Sequence, residues 1–363
     1  MQTSAIPTTA VPPPPRSTGA GIRHRSRAQL VIAFFAAIAW YACARALAQR
    51  AADGLAMRFE LYDEQPLLAA VFSLFLLVLG VAALRRIEGR RMPLRMALGL
   101  PRRRTSREEW GKGAALGWGL AILSVATIAL GHGLNVETWF APRAWELFAL
   151  SLATLFVATL ANTLALFGYG FQRLTEAAGP TRSTIALMLV VGVAAATMQT
   201  PTGTPDGVRL LVELLGVLLL ALTWLRTHGL WLGWGLHFAW SASIGVLFGL
   251  PLRGKLDFSS IVDSRTSGAV WLTGGSFGPG AAAFSVVLLL IAIPILVRVT
   301  SDYAWDYTRP PLIPGGYDVT IPPPAAHVAM EQSALAAAPV SPGTLVQIQS
   351  LTPQSPVVRD PSE

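Results

Sequence analysis

The chain reads as an all-α polytopic membrane protein with about eight transmembrane helices, and three observations predict that class. Of 363 residues, 53% are hydrophobic and only 13% are charged, and although the length alone would suit two or three soluble domains, the apolar runs overrule that. Apolar runs of about twenty residues recur along most of the chain, each long enough to cross a bilayer. Arginines crowd the segments that flank those runs. Backbone polar groups facing lipid must be satisfied within the segment, so the runs are helices rather than open sheet.

Residues 1–28 are rich in Pro, Thr and Arg, with four consecutive prolines from Pro12 to Pro15, and read as a disordered cytoplasmic arm. The transmembrane domain follows over residues 29–300. Its first span is roughly 29–48. Ala46-Leu47-Ala48 resembles a signal-peptidase site, but the preceding charged region is long and Arg45 adjoins it. The segment is therefore expected to be an uncleaved anchor, with Arg45 reaching towards the interface. The remaining spans fall at roughly 67–84, 114–131, 147–171, 183–199, 208–225, 229–249 and 281–298. Residues 301–363, rich in Pro, Ala and Ser with no apolar span, read as a disordered cytoplasmic tail.

Charge placement sets the expected orientation. The arm carries Arg16, Arg23, Arg25 and Arg27, and the second loop runs from Arg85 and Arg86 through Arg102, Arg103 and Arg104 to Lys112. The loop between them balances Arg50 and Arg58 against Asp53, Glu60, Asp63 and Glu64. Placing both basic segments inside gives a plasma-membrane protein with both termini cytoplasmic. The same placement accounts for the net charge of +8 without nucleic acid, since the arginines have no interleaved aromatic residues. The lone Cys43 excludes a disulfide within the chain and a cysteine metal site. The expected surroundings are the lipid bilayer and transmembrane or lipidated protein segments.

Two spans are rich in glycine. Gly111, Gly113, Gly117 and Gly119 open the third, and Gly229, Gly233 and Gly235 open the seventh, so these helices are expected to approach closely. Leu-Gly-Trp-Gly-Leu occurs in both, at 116–120 and 232–236. The seventh span also carries His237 and Ser241 at mid-depth, four residues apart and hence on one face of a helix. Polar groups at that depth are costly and mark either a site or an interhelical hydrogen bond.

The residues around this pair form a pattern: Leu230-Trp231, Gly235-Leu236-His237, Ser241, then Gly249-Leu250-Pro251. It resembles the third motif of the CAAX-protease and bacteriocin-processing (CPBP) family, eight-helix intramembrane proteases usually described as metalloproteases. Leu98-Gly99-Leu100-Pro101-Arg102-Arg103 with Glu109-Trp110, and Leu272 to Pro279, are similar to flanking segments of that family. The resemblance covers roughly residues 95–298 and implies a CPBP-type helical core. Its first motif, two glutamates, three residues, then Arg-Gly-Tyr, aligns with Asn162-Thr163, Phe167, Gly168 and Tyr169. Its second-motif histidine aligns with Met198, and the usual Asn of the third is Ser241. The family-equivalent positions are thus Asn162, Thr163, Phe167, Met198, His237 and Ser241, with His237 the one retained candidate metal ligand.

Those substitutions bear on chemistry. Hydrolysis of a peptide at neutral pH needs an activated water, from zinc held by about three protein ligands or from a carboxylate base. Asn162 and Thr163 have no carboxylate, and amides, hydroxyls and thioethers are poor zinc ligands beside imidazole. Glu213, the one carboxylate within a later span, lies four residues after Arg209, where an ion pair accounts for it. His228 beside Arg226 reads as interfacial. The Ser241–His237 pair lacks a carboxylate to orient the imidazole. Two readings follow. The leading one is a CPBP-like membrane protein whose site has lost its chemistry, binding a peptide or protein as a scaffold or regulator, with no cofactor. The alternative is an active CPBP-type endopeptidase using zinc. A transporter is disfavoured because no span shows charged pairs or Pro-broken half-helices of the kind transporters use.

Overall fold

The computed structural model describes residues 26–89, 92–139, 145–254 and 258–301, together with positions 329, 330, 332, 333 and 336. It divides into two units, Met1–Arg309 and Pro310–Glu363. The described positions of the second unit are helical. The rest of the expected tail, and the expected arm as far as residue 25, lie outside the described residues.

The first unit is a helical membrane domain. Helix α1 spans Arg27–Phe59, α2 Gln65–Ile87, α3 Leu94–Ala97 and α4 Ser106–Leu130. Then come α5 Trp145–Phe167, α6 Tyr169–Ala178, α7 Pro180–Thr197 and α8 Asp206–Thr227. Helix α9, Trp231–Ala242, continues as a π turn over Ser243–Leu247, and α10 Val270–Thr273 and α11 Ala283–Val299 complete the set. Six helices, with α5 and α6 taken together, are long and apolar enough to cross a membrane. The other two expected spans are shorter. α11 has 17 residues, and α9 has 12 with 5 more in the π turn. At about 1.5 Å per residue each reaches roughly 25 Å, the low end for a span.

Local chemistry explains the ends. Ser26 caps α1 by accepting from the Gln29 N–H, so the helix begins inside the segment expected to be a disordered arm. α1 also runs eleven residues past the expected boundary at 48, because residues 49–59, though interrupted by Gln49, Arg50, Asp53 and Arg58, are rich in helix formers. Arg45 is consequently exposed in mid-helix rather than at an end. Pro66 and Pro180 sit in the first turns of α2 and α7, where a missing N–H costs nothing. The expected fourth span, 147–171, is broken at Gly168, whose backbone (φ −76°, ψ −131°) ends α5 and starts α6 at Tyr169. A side chain there would strike the Leu164 carbonyl oxygen.

The main core gathers Phe34 of α1, Leu77 of α2, Phe167 of α5, Phe171 of α6, Leu187 of α7 and Trp224 of α8. α9 packs most extensively on α4. A Cβ on Gly113 would collide with the Leu232 carbonyl, one on Gly117 with that of Leu236, and one on Gly235 with that of Trp110. The contact advances in the same direction on both helices, so α4 and α9 run parallel with backbones touching.

Both ends of this parallel pair are tied. At the N-terminal end, the Leu230 N–H donates to the Gly99 carbonyl (2.8 Å) and the Trp231 indole to that of Pro101 (2.8 Å). Arg103 donates to the carbonyls of Thr227 (2.5 Å) and His228 (3.3 Å), and approaches the fully buried Glu109 at 3.9 Å. At the other end, β1 (Leu134–Trp139) pairs antiparallel with β2 (Val262–Thr266), with Leu134 opposite Thr266 and a bulge at Val136/Thr138. This small sheet joins the segments that follow α4 and α9 and was not among the expected elements.

Candidate functional site

The seam with α4 fixes α9 and so presents His237 to α5. There His237 Nδ1 lies 3.4 Å from Thr163 Oγ1. The Thr163 hydroxyl already donates to the Thr159 carbonyl at 2.7 Å. Towards the imidazole it therefore acts as acceptor, so Nδ1 carries the proton and Nε2 keeps its lone pair. At 3.4 Å this is a long, weak hydrogen bond. Thr163 is buried, as is Ser241 one turn beyond His237, while His237 is half-buried. The π turn starts two residues after Ser241, the kind of irregularity found frequently at functional sites.

The other aligned residues go elsewhere. Asn162 turns to α1, where Tyr41 Oη donates to its Oδ1 at 2.5 Å. Neighbours on a helix point about 100° apart, so Thr163 and Asn162 serve different partners. Asn162 is thus engaged with α1, while Thr163 meets His237 of α9. Phe167 is buried edge-on to Phe171, with ring centroids 5.8 Å apart. Met198 caps the end of α7 in extended conformation and is 52% exposed, a poor place for a ligand equivalent. Alignment placed it by letter pattern in a span that ends one residue earlier.

Residues outside the motifs complete the surroundings. Trp231, Trp234 and Phe238 recur along α9; Trp231 packs on Trp234, and Trp234 and Phe238 meet Trp110 of α4 and Phe156 of α5. Phe156 lies 4.6 Å from Trp234 and 5.2 Å from Phe238, between ring centroids. The spacing of the three α9 aromatics beside His237 was the available signal. Tyr41 offered none, since its partner lies 121 residues away.

The donor set does not fit zinc. Beside His237 the pair supplies hydroxyls, and among the described residues no group of three His, Cys, Asp or Glu side chains is placed to hold a metal ion. Glu213 does not join: it pairs with Arg209 as expected, and also with Arg253, each at 3.6 Å. Arg209 in turn meets Asp206 at 3.2 Å and the Ala195 carbonyl at 3.1 Å, so this network fastens α7, α8 and the 253 turn. His228 caps α8 in the left-handed conformation (φ 47°), with its ring edge-on to Trp224. Burial, then the Arg103 charge, lower its pKa below the usual histidine value, which keeps it neutral at pH 7. No protein-family model, no curated protein and no solved structure matches this chain.

Proposed function

We propose that this polytopic membrane protein has a CPBP-like arrangement whose ancestral proteolytic site is chemically silent, and that it holds transmembrane or lipidated protein segments without cutting them, as a scaffold or regulator. The observation that carries the reading is the Thr163–His237 contact. A position that aligns with a glutamate of the first motif meets the histidine of the third, yet what meets is a hydroxyl and an imidazole. The pair can hydrogen-bond a peptide group, but it has neither the carboxylate nor the set of metal ligands that would activate water in such a protease. The aromatic wall of Phe156, Trp234 and Phe238 beside it suits apolar side chains of such a segment. The Arg-rich 85–113 loop supports a plasma-membrane orientation with both termini cytoplasmic.

The test offers a transmembrane peptide and a farnesylated peptide to the full chain in lipid nanodiscs, following binding by anisotropy and peptide mass by spectrometry. Saturable binding with unchanged peptide mass is expected. Absence of saturable binding sinks the scaffold reading. Cleavage by the wild type, lost in His237→Ala, would establish the endopeptidase instead.

A further inference from the structure

We propose that the groove between the C-terminal ends of α8 and α11 binds an anionic phospholipid. The groove has a volume of about 780 Å³ and is lined by Arg226, Ile293, Pro294, Val297, Arg298 and Ser301. It is independent of the α5–α9 site and rests only on the membrane-spanning character of the helices.

Two guanidiniums line this one groove. Arg226 is held in place: Nε donates to Thr300 Oγ1 (2.5 Å), and Nη2 to the carbonyls of Val297 (3.2 Å) and Thr300 (3.4 Å). Those bonds occupy one side of the fork and leave Nη1 without a protein acceptor among the described residues. Arg298 is exposed and pairs with no carboxylate or carbonyl among them. A cation in the last turn of a helix is ordinarily accounted for by the helix dipole, and Arg226 does cap α11 in that way. The dipole does not account for two cations lining a groove in which, among the described residues, no carboxylate takes part.

The remaining lining fixes the ligand class. Pro294, Val297, Arg298 and Ser301 fall at helical spacing on one face of α11, apolar towards mid-helix and polar at its end. Such a surface matches a phosphate over an acyl chain, and guanidinium forks suit phosphate oxygens. Basic pockets between helix ends are sites for anionic headgroups. A soluble phosphate would satisfy the arginines but leave Ile293, Pro294 and Val297 uncovered.

The test uses the full chain purified in neutral detergent, mixed with equal phosphatidylglycerol and phosphatidylcholine, with retained lipid read by native mass spectrometry. Wild type should prefer phosphatidylglycerol by about fivefold or more, and Arg298→Gln should lower that preference about fivefold. Arg298→Lys should keep most of it. Arg298 is exposed, so unfolding of Arg298→Gln in phosphatidylcholine should match wild type and separate lipid loss from misfolding. Equal retention of the two lipids by wild type, or an unchanged preference in Arg298→Gln, would overturn the proposal. Millimolar inorganic phosphate stabilising the protein as much as phosphatidylglycerol would assign the groove to soluble phosphate and overturn it too.

Discussion

Helix α9 turns two unlike faces to its neighbours. Towards α4 it offers carbonyls and Gly235, and receives Gly113 and Gly117, so backbones touch over more than one turn. Towards α5 it offers His237, Trp234 and Phe238, and the polar contacts there are the long bond to Thr163 and one from the Trp234 indole to the Phe156 carbonyl at 3.3 Å. The first face is geometric and tolerates no added atom. The second is chemical, an imidazole facing a hydroxyl among aromatic rings. A glycine seam of this kind fixes where a neighbouring site lies without dictating its chemistry.

The largest effect should come from breaking the seam. Gly117→Leu forces a side chain onto the Leu236 carbonyl, which cannot move aside, and should destabilise by about 3 kcal/mol or more. Gly119, two residues away in the same Leu-Gly-Trp-Gly-Leu, has open space around it. Gly119→Ala should therefore be neutral, or stabilising by up to about 1 kcal/mol. Thermal unfolding in one detergent compares the two, and equal losses would mean α4 and α9 do not touch there.

A smaller loss tests the second face. His237→Ala removes the interhelical bond to Thr163 and should cost roughly 0.6–2 kcal/mol. Thr163→Val, which keeps shape and deletes the acceptor, should cost a similar amount, and the double variant should cost less than the sum of the two. Strict additivity would show that the 3.4 Å contact is incidental.

The smallest effect lies at the turn that delivers α9. The lowered pKa of His228 means the unfolded chain binds the extra proton more readily than the folded one. Its contribution is complete above about pH 6.5 and is lost as pH falls from there towards the folded value. His228→Asn, which also accepts the left-handed conformation, should flatten unfolding stability across that window. An unaltered slope would locate the acid sensitivity elsewhere.

Hydropathy made the membrane helices legible, and glycine spacing made the α4–α9 seam legible, because both signals are local. The far end of α1 was not legible, since Gln49, Arg50, Asp53 and Arg58 interrupt its apolar residues over 49–59. The break at Gly168 hid inside a continuous apolar run, where only the approach of the Leu164 carbonyl reveals it. β1 and β2 lie over 120 residues apart, and such pairing is decided by tertiary contact rather than by either segment. At the site, His237 and Thr163 were found from motif letters. Asn162 was grouped with them because letters carry no azimuth, and the structure gives it to Tyr41. Met198 was placed by alignment across a helix end that the letters do not mark.

The central claim is that α5 and α9 bring together a hydrogen-bonded pair and not a metal-binding set. Metal analysis of the full chain, purified without chelator and supplied with zinc, tests it most directly when wild type and His237→Ala are measured side by side. The account predicts far less than one zinc per chain in both, with no difference between them. One zinc per wild-type chain, absent from His237→Ala, would contradict it and restore the site as a metal centre.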